Sequence, residues 1–218
     1  MVLISNKPWH GSVAYDNEGY KQARGADAII VDRWPGQAEQ FNFGLAKLRE
    51  RGFDWAIICD ADEFYTPRGI NLLVEDCEIY KNHFSSIRAG NMDVYWKSPL
   101  WKIKPKQIDN PVIAIRTDQI FADKRRPTLS EYSSPFVDAT MHHFSYVRTP
   151  EEMLKKINSF EHSNEFDTDE WYKNVFMSNL KNNLHPVVPE QFASIELNPA
   201  PKEILENYYA DARSLYTI

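Results

Sequence analysis

The chain has 218 residues, a formal net charge of −6, 43% hydrophobic residues and 13% aromatic residues. That composition excludes disorder and suffices for one packed domain, and the acidic balance excludes a generic nucleic-acid coat. No apolar run approaches a membrane span, and Met1-Val2-Leu3-Ile4-Ser5-Asn6-Lys7-Pro8 has no basic start before a long apolar stretch, so neither a membrane span nor a secretory leader is expected, and a cytoplasmic location is.

Val2-Leu3-Ile4-Ser5 reads as a short strand, broken by the loop Lys7-Pro8-Trp9-His10-Gly11-Ser12. Residues 17–24 fit a short helix that Gly25 closes, and 28–31 a second strand. After the Pro35-Gly36 turn, residues 37–51 form a helix with Phe41, Leu45 and Leu48 on one face and Gly52 at its end. The apolar run 55–59 is then a strand, expected to be buried on both faces. Strand, helix, strand at these separations predicts a right-handed crossover and parallel pairing.

Beyond Pro67 the pattern predicts a helix over 71–82, then strands over 84–87, 92–96, 101–103 and 112–115. Joined without long crossovers, these are expected to pair antiparallel at the edge of a mixed sheet. A strand over 141–147 leads into a helix that Thr149 caps and Glu152 boxes, running to about residue 162. Further helices are predicted over about 169–180 and over 201–215, the last with Ile204, Leu205, Tyr208, Tyr209 and Ala212 at helical spacing.

The strand over 55–59 ends in Asp60-Ala61-Asp62-Glu63-Phe64. Two aspartates one residue apart also suit a solvated turn, but Phe64 and Tyr65 follow here where a plain turn favours Gly, Asn or Ser. Ligands of open α/β sheets sit beyond the carboxyl ends of the strands, and carboxylates held there suit a hard divalent cation bridging to phosphate. An EF-hand is excluded, since Phe64 stands where an oxygen ligand is needed. Cys59 and Cys77 are too few for a disulfide framework or a zinc site; Cys59 fits a buried strand as a small apolar residue.

Charge is uneven. Lys97, Lys102, Lys104, Lys106, Arg116, Lys124, Arg125 and Arg126 stand against only Asp109, Asp118 and Asp123 in that stretch. Together with the aromatics of Tyr95-Trp96-Lys97-Ser98-Pro99-Leu100-Trp101-Lys102, this zone fits an anionic partner such as a phosphorylated glycan or modified DNA, or else a solvated face around a packing strand.

Residues 57–64, Ile-Ile-Cys-Asp-Ala-Asp-Glu-Phe, resemble the Asp-x-Asp strand of GT-A glycosyltransferases, particularly the family 2-like group. Gln40-Phe41-Asn42-Phe43-Gly44-Leu45 resembles the helix start that precedes that strand. His143-Phe144-Ser145-Tyr146-Val147-Arg148, with Met153, Lys156 and Phe160 beyond it, resembles the family's His-Tyr-Gly-Trp-Val-Arg segment and the residues at its later offsets. The resemblance covers roughly residues 1–165, loosely over 85–135.

It implies an α/β, GT-A-like (Rossmann-like) fold with a mixed, mainly parallel sheet flanked by helices and with C-terminal helices. Residues 1–218 would be a single domain: 1–66 the nucleotide-sugar half, 67–148 the acceptor half and 149–218 a helical region. The implied activity is transfer of a sugar from a nucleotide diphosphate sugar, UDP-linked by preference, to a hydroxyl acceptor, with Mn²⁺ or Mg²⁺. Asp60, Asp62 and His143 would be metal ligands, with Asp60 also meeting the ribose or a metal-bound water, His143 alternatively a diphosphate contact, and Glu63 orienting the aspartates. Lys156 or Arg148 would neutralise phosphate, and Asn42 would lie in the donor site. His142 and His143 point to opposite faces of one strand, so only His143 is assigned.

Val2–Ser5 aligns better with the family's second strand, so the family's usual first strand and helix, whose loop holds the base, is expected to be absent: either the fold is a minimal version, or the base is held otherwise, with Lys7, Trp9 and Asp32 as candidate substitutes. A partner chain supplying the strand, as in a homodimer, is a further expectation. Asp93 and Asp138 are candidate catalytic bases for an inverting transfer. The competing readings are a haloacid-dehalogenase-like phosphohydrolase using Asp60 and a non-catalytic sugar-nucleotide-binding or interaction subunit.

Overall fold

The structure, a computed structural model, describes residues 2–5, 27–104, 110–128, 134–159, 166–178 and 194–215. The expected helix over 17–24 and the residues Lys7 and Trp9 lie outside these. Strands β1 (Val2–Ser5) and β2 (Ile29–Asp32) are followed by helix α1 (Gln37–Glu50), β3 (Trp55–Ile57), β4 (Glu63–Phe64) and α2 (Pro67–Tyr80). Then come β5 (Ser86–Trp96), β6 (Ser98–Lys104), β7 (Val112–Arg116), β8 (Phe121–Asp123), β9 (Arg126–Pro127) and β10 (Phe136–Tyr146). Helix α3 (Pro150–Ser159), helix α4 (Thr168–Trp171) with a π-helical turn (Tyr172–Phe176), β11 (Ser194–Leu197) and α5 (Lys202–Leu215) complete the described chain.

The class is mixed α/β, as expected, but the sheet is mostly antiparallel. In the seven-stranded sheet only β5 with β10 is parallel; β3 with β7, β5 with β7, β5 with β6, β6 with β11 and β4 with β10 are antiparallel. Short connections impose this: Lys97, at φ 56°, alone separates β5 from β6, and a chain that turns back at once pairs antiparallel. β1 and β2 form a separate two-stranded parallel sheet. The parallel pairing expected across α1 is absent among the described residues, because β3 takes β7 as its neighbour.

β3 also departs from the doubly buried strand its apolar run predicts. Ala56 and Ile58 are buried under Leu45 of α1, while Ile57 is exposed and Cys59, past the strand end, is exposed too. α1 covers one face of β3 and leaves the other only partly covered. Both cysteines are free, in keeping with the sequence.

Two layers close on the main sheet. Leu73 and Cys77 of α2, Met153 and Ile157 of α3, and Phe176 of the π-helical turn pack against Ile87, Val94, Trp96, Ala139 and Met141. On the other side Ile204 of α5 packs with Tyr95 and Phe144. The predicted capping box opens α3: Thr149 N–H donates to Glu152 Oε2 at 2.9 Å, and Glu152 N–H to Thr149 Oγ1 at 3.3 Å. Among the described residues no helix is long and apolar enough to cross a membrane.

Candidate functional site

The chain leaves β3 through Ile58, whose N–H still donates to Ile113, and turns at once. Glu63 N–H donates to the Asp60 carbonyl at 3.0 Å, which makes residues 60–63 a tight turn, and β4 then pairs with β10 at His143 and His142. Phe144 N–H donates to the Asp62 carbonyl at 2.7 Å, so the backbone of β10 holds the turn directly. The acidic turn is thereby brought against a strand that lies far along the chain.

There the two sequence motifs meet. Asp62 Oδ2 accepts from Lys156 Nζ at 2.7 Å and from Arg148 at 3.1 Å; Asp62 Oδ1 faces His143 Nε2 at 3.6 Å. Burial by itself would raise the Asp62 carboxyl, but the His143 contact and the Lys156 charge outweigh it and hold the group well below the ordinary carboxylate range. Burial pushes Lys156 down, against the pull of Asp62. Lys156 Nζ also donates to Ser145 Oγ at 2.7 Å, and Arg148 Nε to the Ser145 carbonyl at 3.2 Å. Ser145 thus anchors both cations from below.

The other half of the turn is held by Arg125. Its guanidinium forks onto both carboxylate oxygens of Glu63 at 2.7 Å each and lies 3.4 Å from Asp60 Oδ1. Side-chain exposure is 10% for Arg125 and 4% for Glu63, so this is a buried pair, whereas Asp60 at 38% opens to solvent. Glu63 Oε2 in turn accepts from Asp60 N–H at 3.0 Å. Burial pushes the Asp60 carboxyl up, with Arg125 opposing. Cys59 is exposed as a residue, but its Sγ turns in to lie 3.1 Å from the Glu63 carbonyl, and desolvation there, reinforced by the Glu63 charge, pushes the thiol up to about 12.

Other expected site residues lie elsewhere. Asn42 spends its amide on Phe121, donating to the carbonyl at 2.9 Å and accepting from the N–H at 2.8 Å, which ties α1 to β8. Asp32 is exposed at the end of β2 and accepts from Arg33 N–H at 2.7 Å. Asp93 is buried and paired with Lys102 at 2.8 Å; it lies beside His142, on the sheet face opposite His143. His142 itself bonds Tyr95 at 3.0 Å. Asp138, exposed earlier on β10, sits near Asp76, whose carboxyl burial and the Asp138 charge push up. Neither candidate base joins the Asp62 cluster.

Part of the basic zone is spent within the protein. Lys102 and Arg125 are committed to Asp93 and Glu63, and Arg116 to Asp118 at 3.0 Å. Tyr95 and Trp96 are core residues, while Trp101 is exposed. Arg125 and Ser145 join the site without having been singled out for it; the one available signal for Ser145 was its place within the His143–Arg148 segment.

Asp62 Oδ1 and His143 Nε2 make an oxygen and imidazole pair suited to a divalent cation. Among the described residues no three or more His, Cys, Asp or Glu side chains converge as a cage. A cation held by this pair would have to take its other ligands from elsewhere, as Mg²⁺ commonly does from water and phosphates. Comparison with protein-family models and with curated proteins finds no match to this chain.

Proposed function

We propose that the chain is a metal-dependent glycosyltransferase that moves a sugar from a nucleotide diphosphate sugar, UDP-linked by preference, to a hydroxyl acceptor. The convergence of Asp62 with His143, Arg148 and Lys156 carries this reading: the acidic turn and the later basic segment, each part of the GT-A resemblance, meet at one point. In this reading Asp62 and His143 hold Mn²⁺ or Mg²⁺, which stabilises charge growing on the departing diphosphate. Lys156 and Arg148 bind the diphosphate oxygens and supply the rest of that stabilisation. Asp60, open to solvent beside the pair, meets the ribose, and Glu63 with Arg125 fixes the turn that presents it.

Kinship with GT-A enzymes belongs to the same proposal, supported by the strand and helix order up to β3, whereas the antiparallel pairing of β3 with β7 gives no support to a mainly parallel sheet. The internal commitment of Lys102 and Arg125 leaves the remaining cations of the zone, among them Lys97, Lys104, Lys124 and Arg126, as the ones an anionic or DNA acceptor would have to meet.

Calorimetric titration with UDP, with and without Mn²⁺, on the wild type and on Asp62→Ala tests the reading. The expected result is Mn²⁺-dependent binding that the variant loses. Binding of neither UDP nor GDP under any condition would refute it and turn attention to the phosphohydrolase or interaction-subunit alternatives.

A further inference from the structure

Asp62 is a metal-ligand candidate that is already occupied. Lys156 and Arg148 both sit on its Oδ2, and all three side chains are largely withdrawn from water, with exposures of 19% for Asp62, 26% for Lys156 and 31% for Arg148. Pairs so withdrawn attract more strongly than pairs on an open surface. The cluster is also close to charge balance: Asp60, Asp62 and Glu63 face Arg125, Arg148 and Lys156.

We propose that Lys156 and Arg148 close Asp62 against a bare divalent cation and release it only when a diphosphate takes the two cationic side chains, so that metal and nucleotide bind as one unit. This rests on the sugar-nucleotide reading for the identity of the anion. A cation arriving alone must strip Asp62 from its partners and lies against two positive groups. A diphosphate arriving alone finds its cations engaged and meets the carboxylates of Asp60 and Asp62. When both arrive, the cation takes Asp62 and the phosphate oxygens take Lys156 and Arg148. Every displaced charge then gains a new partner, which avoids the penalty of a half-buried charge left alone. Ser145 makes the exchange short: its Oγ holds Lys156 and its carbonyl holds Arg148, so both cations stay in place when they leave Asp62.

The test is a reciprocal titration of the full chain with MnCl₂ alone, UDP alone and the two together, by calorimetry and by the electron paramagnetic resonance of free Mn²⁺, on the wild type and on Lys156→Met. In the wild type each ligand is expected to raise affinity for the other by about tenfold or more, by the same factor in both directions. In Lys156→Met, affinity for Mn²⁺ alone rises while Mn²⁺-dependent affinity for UDP falls. Loss of fold lowers both, so opposite signs distinguish the exchange from simple damage. Mn²⁺ bound by the wild type as tightly without UDP as with it, or no rise in Mn²⁺ affinity in a folded Lys156→Met, overturns the proposal. Should that variant not fold, the wild-type coupling decides. Should UDP bind under no condition, the sugar-nucleotide reading fails; inorganic pyrophosphate then replaces UDP, and coupling to Mn²⁺ upholds the exchange while its absence overturns it.

Discussion

Arg125 reaches back 62 residues to grip Glu63, and it lies over the Phe41 ring at 5.8 Å. Removing it leaves the Glu63 carboxylate buried without its counter-charge. Arg125→Met is expected to cost about 3–5 kcal/mol, and Arg125→Met combined with Glu63→Gln to recover most of that. Urea denaturation of the single and double variants checks this; equal losses in both would show that the pair is not what holds the turn. That Asp62, His143, Arg148 and Lys156 would share one place was expected only through the GT-A resemblance, whose two motifs carry them, and the structure does bring their side chains together. Arg125 was not legible, because its partner is chosen by where the β8–β9 hairpin docks, and no local spacing records that. The same blindness made Asn42 and Asp93 look available when one fastens a hairpin and the other a buried lysine.

β5 is one strand where the sequence predicts two, since Gly90 and Asn91 read as an interruption. Gly90 is there for close approach: a Cβ on it would overlap the Val137 carbonyl oxygen of β10. Gly90→Ala is therefore expected to destabilise by about 3 kcal/mol, by forcing apart the parallel pair that carries His143. Thermal and urea unfolding will show it, and a variant as stable as the wild type would contradict the close approach. α1, α3 and α5 follow their amphipathic patterns and caps, and were legible to within a few residues. α2 starts earlier than predicted because Thr66, accepting from Gly69 N–H at 3.0 Å, and Pro67 form its true N-terminus. β8 and β9 were missed because strands of two or three residues show no period, and β11 because, unlike the apolar runs of β1 and β2, it is largely exposed and alternates polar with apolar residues over only four positions.

At the scale of the molecule the α/β class was legible, but the sense of strand pairing was not, since an apolar run does not name its neighbour. The two site aspartates also pull the whole fold in opposite directions with pH. Asp62 is depressed in the folded state, so its contribution is complete above the unfolded value of about 3.9 and fades as pH falls through the lower folded value. Asp60 is raised, so its protonation favours the fold as pH falls through that raised value. The stability gap between wild type and Asp62→Asn is accordingly expected to be constant from pH 7 to about pH 5 and to narrow progressively below about pH 4. Urea midpoints across that range measure it, and a gap that does not narrow at all between about pH 5 and about pH 2.5 would show that Asp62 is not ion-paired. The separation of 94 residues between Asp62 and Lys156 carries one more consequence. On the ribosome, the acidic turn emerges long before β10, its only strand partner among the described residues, and longer still before Lys156. Nascent chains halted before residue 125 hold these carboxylates with none of their counter-charges, and chains halted between 148 and 156 still lack Lys156, so the site is completed at a late step of synthesis, after β10 slots in beside β5.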